Sequence, residues 1–190
     1  MADATPNRFA FVAVLGAPNV GKSTLINRLV GTKVSIVSPK VQTTRARVLG
    51  ITINDAAQIV FIDTPGVFEP RRRLDRAMVA AAWTGAADAD RICLLVDAAK
   101  GIDRDTAAIV KRLAQQGRRA DLVLNKIDLV KKPVLLDLAN QLNQDGLFDD
   151  IFMISALTGD GVQDLGKFLA KAVPEGPWLY PEDQIATAPM

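Results

Sequence analysis

Apolar and polar residues along the chain predict buried strands that alternate with amphipathic helices. An apolar run over residues 8–15 predicts a buried strand, and residues 24–30 continue as a helix with one apolar face. Further strands are predicted at 48–53, 58–62, 91–96, 120–124 and 151–154, and further helices at 74–83, 104–116, 133–143 and 161–173. The second and third strands form an antiparallel pair around a turn at Asn54-Asp55. The remaining alternation predicts an α/β fold, a mostly parallel six-stranded sheet with one antiparallel edge strand and helices on both faces.

Two segments lack a sustained period. Residues 32–47 combine hydroxyl and basic side chains with a proline, which predicts a long loop, and loops of this length in compact domains are usually functional or disordered. Residues 175–190 are rich in proline and predict a linker or tail. The expected organisation is an N-terminal extension over 1–7, one domain over 8–174, and a linker or tail over 175–190.

Composition excludes several kinds of site. The 190 residues suffice for one domain with a sizeable core, and 23 basic against 21 acidic residues leave a formal net charge of only +2. That balance predicts no broad field for binding polyanions. With no histidine and one cysteine, catalysis by Ser-His-Asp or Cys-His and a protein zinc site are not expected. Cys93 lies in an apolar strand, which predicts a buried structural thiol.

A phosphate-binding loop is predicted directly after the first strand. The spacing Gly-x-x-x-x-Gly-Lys-Ser is filled by Gly16, Ala17, Pro18, Asn19, Val20, Gly21, Lys22 and Ser23, and Thr24 follows as a further nucleotide contact. Gly16 and Gly21 allow backbone N–H groups to surround a phosphate, and the helix dipole adds positive potential. Lys22 is expected to reach the outer phosphates and Ser23 to hold a magnesium ion. The alternative is a turn that only joins a strand to a helix.

A second polar motif closes the strand at 58–62. It consists of Asp63, Thr64, Pro65 and Gly66. A carboxylate at the carboxyl end of a strand lies where open α/β sheets bind ligands, and Asp63 could orient a water on magnesium. Gly66 offers an N–H group to a terminal phosphate. A plain Pro-Gly turn is the alternative, and the three arginines at 71–73 are most simply a solvated face or a helix start.

Two short motifs at later strand ends indicate a guanine base. The first is Asn125, Lys126 and Asp128, and the second is Ser155, Ala156 and Leu157. The Asp128 carboxylate can accept two hydrogen bonds from the ring N–H and exocyclic amine of guanine, a pair of donors that adenine lacks. Lys126 can lay its stem along the base, and Asn125 can tie this loop to the phosphate loop. A backbone N–H group at Ala156 could meet the guanine carbonyl.

In this order the motifs resemble those of the translation-factor-related GTPases, and within them the Era family. The resemblance covers residue 9 to about residue 183, and it includes the segment Pro-Lys-Val-Gln-Thr-Thr-Arg at 39–45 and Tyr-Pro-Glu-Asp at 180–183. It implies a P-loop NTPase G domain, followed in the family by a KH domain. This sequence contains no Gly-x-x-Gly clamp for RNA, so a shortened homologue or a part of a longer protein is expected.

The resemblance also implies how hydrolysis is catalysed. Lys22 neutralises phosphate charge, Gly66 contacts the γ-phosphate, and Ser23 and Thr44 complete a Mg²⁺ shell in which Asp63 acts through a water. Thr44 is preferred to Thr43 because the matching threonine in similar GTPases directly precedes a basic residue. Val67 stands where many small GTPases carry a glutamine that orients water, so a slow intrinsic rate is expected.

Asn19 matches the position that coordinates a monovalent cation in potassium-activated GTPases, and K⁺ is therefore a candidate second cofactor. A side chain that only stabilises the loop is the alternative. A partner acting in trans, such as the ribosomal subunit, is a further substitute for the missing glutamine.

The implied function is a GTP-hydrolysing switch in maturation of the small ribosomal subunit and its 16S rRNA. The implied location is the cytoplasm. Peripheral contact with the inner face of the cell membrane is a further expectation. Two alternatives stay open: the G domain of a tRNA-modifying or tandem-domain ribosome-assembly GTPase, and a guanine-nucleotide binding module that does not turn over alone.

Overall fold

A computed structural model describes residues 6–31, 34–36, 48–62, 89–180 and 185–187, with the backbone alone at 34–36 and 185–187. The strands are β1 (Arg8–Leu15), β2 (Val34–Ile36), β3 (Val48–Asn54), β4 (Ala57–Ile62), β5 (Arg91–Asp97), β6 (Ala120–Asn125), β7 (Phe148–Met153) and β8 (Ile185–Thr187). The described α-helices are α1 (Lys22–Val30), α2 (Arg104–Gln115), α3 (Lys132–Leu142) and α4 (Val162–Ala172), and a 3₁₀ turn covers Ile127–Leu129.

Six strands form the main sheet, in the order β3-β4-β1-β5-β6-β7. All neighbouring strands run parallel except β3, which lies at one edge and pairs antiparallel with β4. The predicted six-stranded sheet with one antiparallel edge strand is therefore confirmed.

Both faces of the sheet are covered by helices. Successive side chains of a strand point to opposite faces, so Ala13 and Leu15 of β1 pack with the apolar residues of α2 and α3, whereas Val12 and Val14 pack with those of α1 and α4. The helix residues on the first face are Ile109, Leu113, Leu135 and Leu138, and those on the second are Leu25, Ile26, Leu165 and Leu169. This arrangement confirms the predicted layers.

The carboxyl ends of the parallel strands β1, β5, β6 and β7 lie together along one side of the sheet, which is called the carboxyl edge. Asp97 and Asn125 are the last residues of β5 and β6, and the loops that follow β1 and β7 carry Gly16 and Ser155. Because ligands of open α/β sheets bind outside the carboxyl ends of the strands, this edge is where a site is expected.

Strand β7 begins three residues earlier than predicted. The pattern placed it at 151–154, but it runs over Phe148–Met153. Asp149 and Asp150 are exposed acidic residues that interrupt the apolar signal, and the register with β6 shifts between Ala120 and Leu122. An edge strand tolerates such charges because one side faces solvent, so the apolar run alone misplaced its start. The helix predicted at 74–83 lies outside the described residues.

Strands β2 and β8 lie in the two segments to which the pattern assigned no element. They pair antiparallel with each other, Val34 opposite Thr187 and Ile36 opposite Ile185. Expecting only loop at 34–36 and only tail at 185–187 was therefore wrong. Three residues are too few to show a period, and the pairing joins segments that are remote in sequence.

The segment after α4 lies against the β3-β4 hairpin. The Gln58 side chain donates from Nε2 to the Tyr180 carbonyl at 2.7 Å and accepts from the Tyr180 N–H group at 3.0 Å. Both residues are buried, and Trp178 Nε1 donates to the Ala56 carbonyl at 2.9 Å. The first residues of the expected linker thus pack on the domain. Whether a linker role begins at residue 175 stays a prediction.

Candidate nucleotide-binding site

The loop between β1 and α1 needs glycine at two positions. A Cβ at Gly16 would lie 2.7 Å from the Leu95 carbonyl oxygen, and a Cβ at Gly21 would lie 2.4 Å from Asn125 Nδ2. Gly21 also has a φ of 104°, and Asn19 adopts the left-handed region with a φ of 64°. Any larger residue at 16 or 21 would push the loop away from β5 or from Asn125.

Donors of this loop are available to an anion. No described residue accepts a hydrogen bond from the backbone N–H groups of Asn19, Val20, Gly21 or Ser23. The Lys22 ammonium donates to the carbonyls of Gly16 at 3.0 Å and Ala17 at 3.1 Å, which holds it against the loop. Unpaired backbone N–H groups at the start of a helix bind anions, so the loop has the chemistry of a phosphate cradle. The predicted loop residues are thereby brought together.

Asn125 joins the phosphate loop to the loop after β7. Its Nδ2 donates to the Val20 carbonyl at 2.8 Å, and its Oδ1 accepts from the Ala156 N–H group at 2.9 Å. Asn125 is 2% exposed. The predicted tie between the Asn125 loop and the phosphate loop is confirmed. The same geometry differs from the expectation for Ala156, because its N–H group donates to Asn125 and not outward.

Lys126 is held between two carboxyl-end loops. Its Nζ donates to the Asn19 carbonyl at 3.0 Å and to Asp97 Oδ2 at 2.6 Å. Burial raises the pKa of Asp97, but the hydrogen bond and charge of Lys126, with N–H groups from Ala99 and Lys100, outweigh it and leave the pKa below its ordinary value. An ionised Asp97 therefore anchors Lys126 beside the phosphate loop.

Asp97 was missed from the sequence. The available signal was a carboxylate as the last residue of a buried strand at the sheet edge that binds ligands. No spacing motif marks it, since its partner Lys126 lies 29 residues further along the chain, directly after the neighbouring strand β6.

The Asp128 carboxylate faces solvent within the 3₁₀ turn that follows β6. It makes no hydrogen bond or ion pair with any residue that the structure describes. The turn is joined to the end of β7 by the Ile127 N–H group, which donates to the Ile154 carbonyl at 3.2 Å. No described residue therefore competes for either carboxylate oxygen at this end of the sheet.

The loop after β7 is folded around Ser155. The buried Ser155 hydroxyl accepts from the Thr158 N–H group at 3.1 Å, and the Ser155 carbonyl accepts from Gly159 at 2.8 Å. Leu157 at the loop tip is 72% exposed. This compact turn presents its backbone beside Asn125.

The other predicted site residues lie outside the described part of the chain. They are Thr43, Thr44, Asp63, Thr64, Pro65, Gly66 and Val67, so of the predicted Mg²⁺ ligands only Ser23 is described, exposed at the second position of α1. Cys93 is buried, as predicted, and burial raises the pKa of its thiol. None of the helices that the structure describes has the length and apolar character of a membrane span.

Comparisons with known proteins agree with this geometry. The model of the 50S ribosome-binding GTPase family matches residues 11–126. GTPase Era of Afipia carboxidovorans is 57% identical over 187 residues, 98% of this chain and 61% of the relative. GTPase Era of Rhizobium meliloti is 59% identical over 189 residues, 100% of this chain and 60% of the relative.

Two solved structures of Era are similar in fold. Era in complex with MgGDPNP and nucleotides 1506–1542 of 16S ribosomal RNA has a TM-score of 0.80 at 40% identity, covering 96% of this chain and 63% of that one. An Aquifex aeolicus Era variant bound to GDP and AlF₄⁻ has a TM-score of 0.79 at 40% identity, covering 96% and 62%. This chain spans about 60% of the length of the curated relatives that it matches. By its family model, its motifs and their placement on one sheet edge, the chain belongs to the 50S ribosome-binding GTPase family, as a G domain similar to that of GTPase Era.

Proposed function

We propose that the chain binds GTP and GDP with Mg²⁺, hydrolyses GTP, and serves as the nucleotide-dependent switch of an Era-type protein in maturation of the small ribosomal subunit. The observation that carries this is the buried Asn125 amide, which joins the phosphate loop to the loop beside the base position. One side chain thereby fixes the distance between phosphate recognition and base recognition.

The phosphates are proposed to bind the loop at 16–23. The N–H groups that have no acceptor among the described residues favour negative charge, as does the N-terminus of α1, and Lys22 moves from the Gly16 and Ala17 carbonyls to the outer phosphates. The exposed Ser23 hydroxyl holds Mg²⁺ in this proposal, with Thr44 and, through a water, Asp63. A solved relative was obtained with MgGDPNP, which supports magnesium as the metal.

Guanine is proposed to be read by Asp128, whose carboxylate has no protein partner among the described residues. It accepts from the ring N–H and the exocyclic amine, and the stem of Lys126 covers one face of the base. The remaining contact, to the base carbonyl, falls to the loop at 155–157.

Hydrolysis is proposed to use a cation in place of the missing glutamine at Val67. The exposed Asn19 side chain is the candidate K⁺ ligand, and its backbone is fixed by Lys126 through the Asn19 carbonyl. The chain supplies Lys22 and the loop N–H groups for the charge that develops on the phosphates.

The ribosomal role is proposed from the relatives. One solved Era binds nucleotides 1506–1542 of 16S ribosomal RNA, and the corresponding partner of this chain would be small-subunit rRNA. A cytoplasmic location follows from that role. RNA contact is expected to depend on a KH domain of the kind found in the Era family.

The proposal is tested by multiple-turnover GTP hydrolysis with Mg²⁺, in K⁺ and then in Na⁺, with ATP as the control nucleotide. Turnover of GTP alone is expected, faster in K⁺, and Asn19→Ala should remove the difference between the salts. Equal rates of Asn19→Ala and the parent chain in K⁺ would refute the cation site. Guanine-nucleotide binding without turnover in either salt would identify a binding module, and turnover of ATP would overturn the base assignment.

A further inference from the structure

Arg28 of α1 lies outside the nucleotide-binding motifs and donates hydrogen bonds to the loop after β7. Its Nε donates to the Ala156 carbonyl at 2.9 Å, and its Nη2 donates to the next carbonyl, that of Leu157. A Cβ at Gly159 would lie 2.9 Å from Arg28 Nη1, so the loop closes around the guanidinium group. Arg28 therefore connects the helix that begins at Lys22 with the loop proposed to contact the base.

The hydrogen bonds of this loop leave one donor unused. The N–H group of Ser155 donates to the Asp160 carbonyl, and those of Thr158 and Gly159 donate back to Ser155. The Ala156 N–H group donates to Asn125 Oδ1. Across residues 155–159, only the Leu157 N–H group has no acceptor among the residues that the structure describes.

The direction of that free N–H group is set by Arg28. The Ala156 carbonyl and the Leu157 N–H group belong to one planar peptide, which is trans because the described backbone contains no cis bond. In a trans peptide the C=O and N–H bonds point in opposite directions. With its carbonyl bound to Arg28, this peptide must direct the Leu157 N–H group away from α1.

We propose that Arg28 is a positioning residue for guanine recognition, holding the Ala156-Leu157 peptide so that the Leu157 N–H group donates to the carbonyl of the base. The inference rests on the proposed function, because it assumes that guanine occupies this edge of the sheet. It assigns base discrimination to a residue that touches no nucleotide. In the structure the Ala156 N–H group donates to Asn125 Oδ1, so the Leu157 N–H group is the donor of this loop that Arg28 leaves available.

A merely structural role of Arg28 has a different signature. If Arg28 only stabilised the loop, its removal would lower the affinity for every nucleotide by the same factor. If it orients the Leu157 donor, its removal lowers the affinity only for nucleotides with a good acceptor at the six position of the base. GDP has a carbonyl oxygen there. 6-Thio-GDP keeps both donors that Asp128 accepts but carries sulfur, a weak acceptor.

The test measures the dissociation constants of GDP and 6-thio-GDP for the full chain and three variants. Arg28→Ala is expected to lower the affinity for GDP about tenfold, the value of one well-placed hydrogen bond, and the affinity for 6-thio-GDP less than about twofold. Arg28→Lys keeps one donor, and its affinity for GDP is expected to lie between those of the parent chain and Arg28→Ala. Arg8→Ala is the matched control, because Arg8 also donates to two carbonyls, those of Lys171 and Val173, away from the site.

Equal factors for the two nucleotides in Arg28→Ala would overturn the positioning role. If Arg28→Ala does not fold, as judged by thermal unfolding, the ratio of the two nucleotides in Arg28→Lys decides in the same way. A parent chain that binds ADP as well as GDP would instead overturn the proposed function, and the inference with it.

Discussion

Asn125 and Val20 lie 105 residues apart in the chain and are joined by a hydrogen bond of 2.8 Å from Asn125 Nδ2 to the Val20 carbonyl. The same amide accepts from Ala156, so three loops meet at one buried side chain. A Cβ at Gly21 would collide with Asn125 Nδ2, so the phosphate loop and the Asn125 loop are in close contact. The spacing of the proposed phosphate and base contacts is therefore built into the folded chain.

Asn125→Ala is expected to weaken both folding and nucleotide binding. It leaves the Val20 carbonyl and the Ala156 N–H group without a partner, at about 1–3 kcal/mol for each buried polar group. Chemical denaturation measures the loss of stability, and titration with a fluorescent GDP measures binding. Asn143→Ala is the control, because Asn143 Oδ1 accepts one hydrogen bond, from the Phe148 N–H group, remote from this edge. Normal GDP affinity in a folded Asn125→Ala chain would contradict the coupling.

Removing the Asp97 charge is expected to change how stability depends on pH. The pKa of Asp97 lies below its ordinary value in the folded chain. Its ion pair with Lys126 thus contributes stability above the ordinary aspartate pKa of about 4, and that contribution is lost as the pH falls through the folded value. In Asp97→Asn the free energy of unfolding should be lower at neutral pH and should fall less between neutral and acid pH.

The parent chain is compared with Asp97→Asn because the pKa of a second carboxyl, that of Asp121, is shifted in the opposite direction. Burial raises the pKa of Asp121, although its ion pair with Arg91 opposes that effect. Denaturation curves from pH 7 down to acid pH, subtracted between the two chains, isolate Asp97. Parallel curves would show that the pair with Lys126 contributes nothing to folding.

Gln58→Leu is expected to release the segment after α4 without harming the nucleotide site. Leucine fills the buried volume but leaves the Tyr180 N–H and carbonyl groups unpaired, at a cost of about 1–3 kcal/mol for each buried group. Hydrogen exchange at 176–180 should become faster than in the parent chain, while GDP affinity stays within about twofold. Unchanged exchange at Tyr180 would mean that other contacts hold this segment.

Local patterns predict the sheet and most of the site. The apolar run of β1 and the glycine spacing that follows it depend on neighbouring residues, so the position of the phosphate loop follows from the amino-acid sequence alone. The tie from Asn125 to the phosphate loop is predictable for a related reason, because strand order brings carboxyl ends together.

Contacts between remote residues are not predictable in this way. Asp97 with Lys126, Arg28 with Ala156, and β2 with β8 each join segments that no period or spacing links. Charged residues on the edge strand β7 also hide its start. The predictions for Thr44, Asp63, Gly66 and Val67 stay predictions, since these residues lie outside the described part of the chain.

The base assignment has its most direct test in Asp128. Replacing this carboxylate by an amide exchanges an acceptor for a donor, while xanthine carries a carbonyl where guanine carries its exocyclic amine. Dissociation constants of GDP and xanthosine diphosphate are measured for the parent chain and Asp128→Asn. The parent is expected to prefer GDP, and Asp128→Asn should lose at least about a hundredfold in GDP affinity and gain affinity for xanthosine diphosphate. The same preference for GDP in both chains would contradict the account.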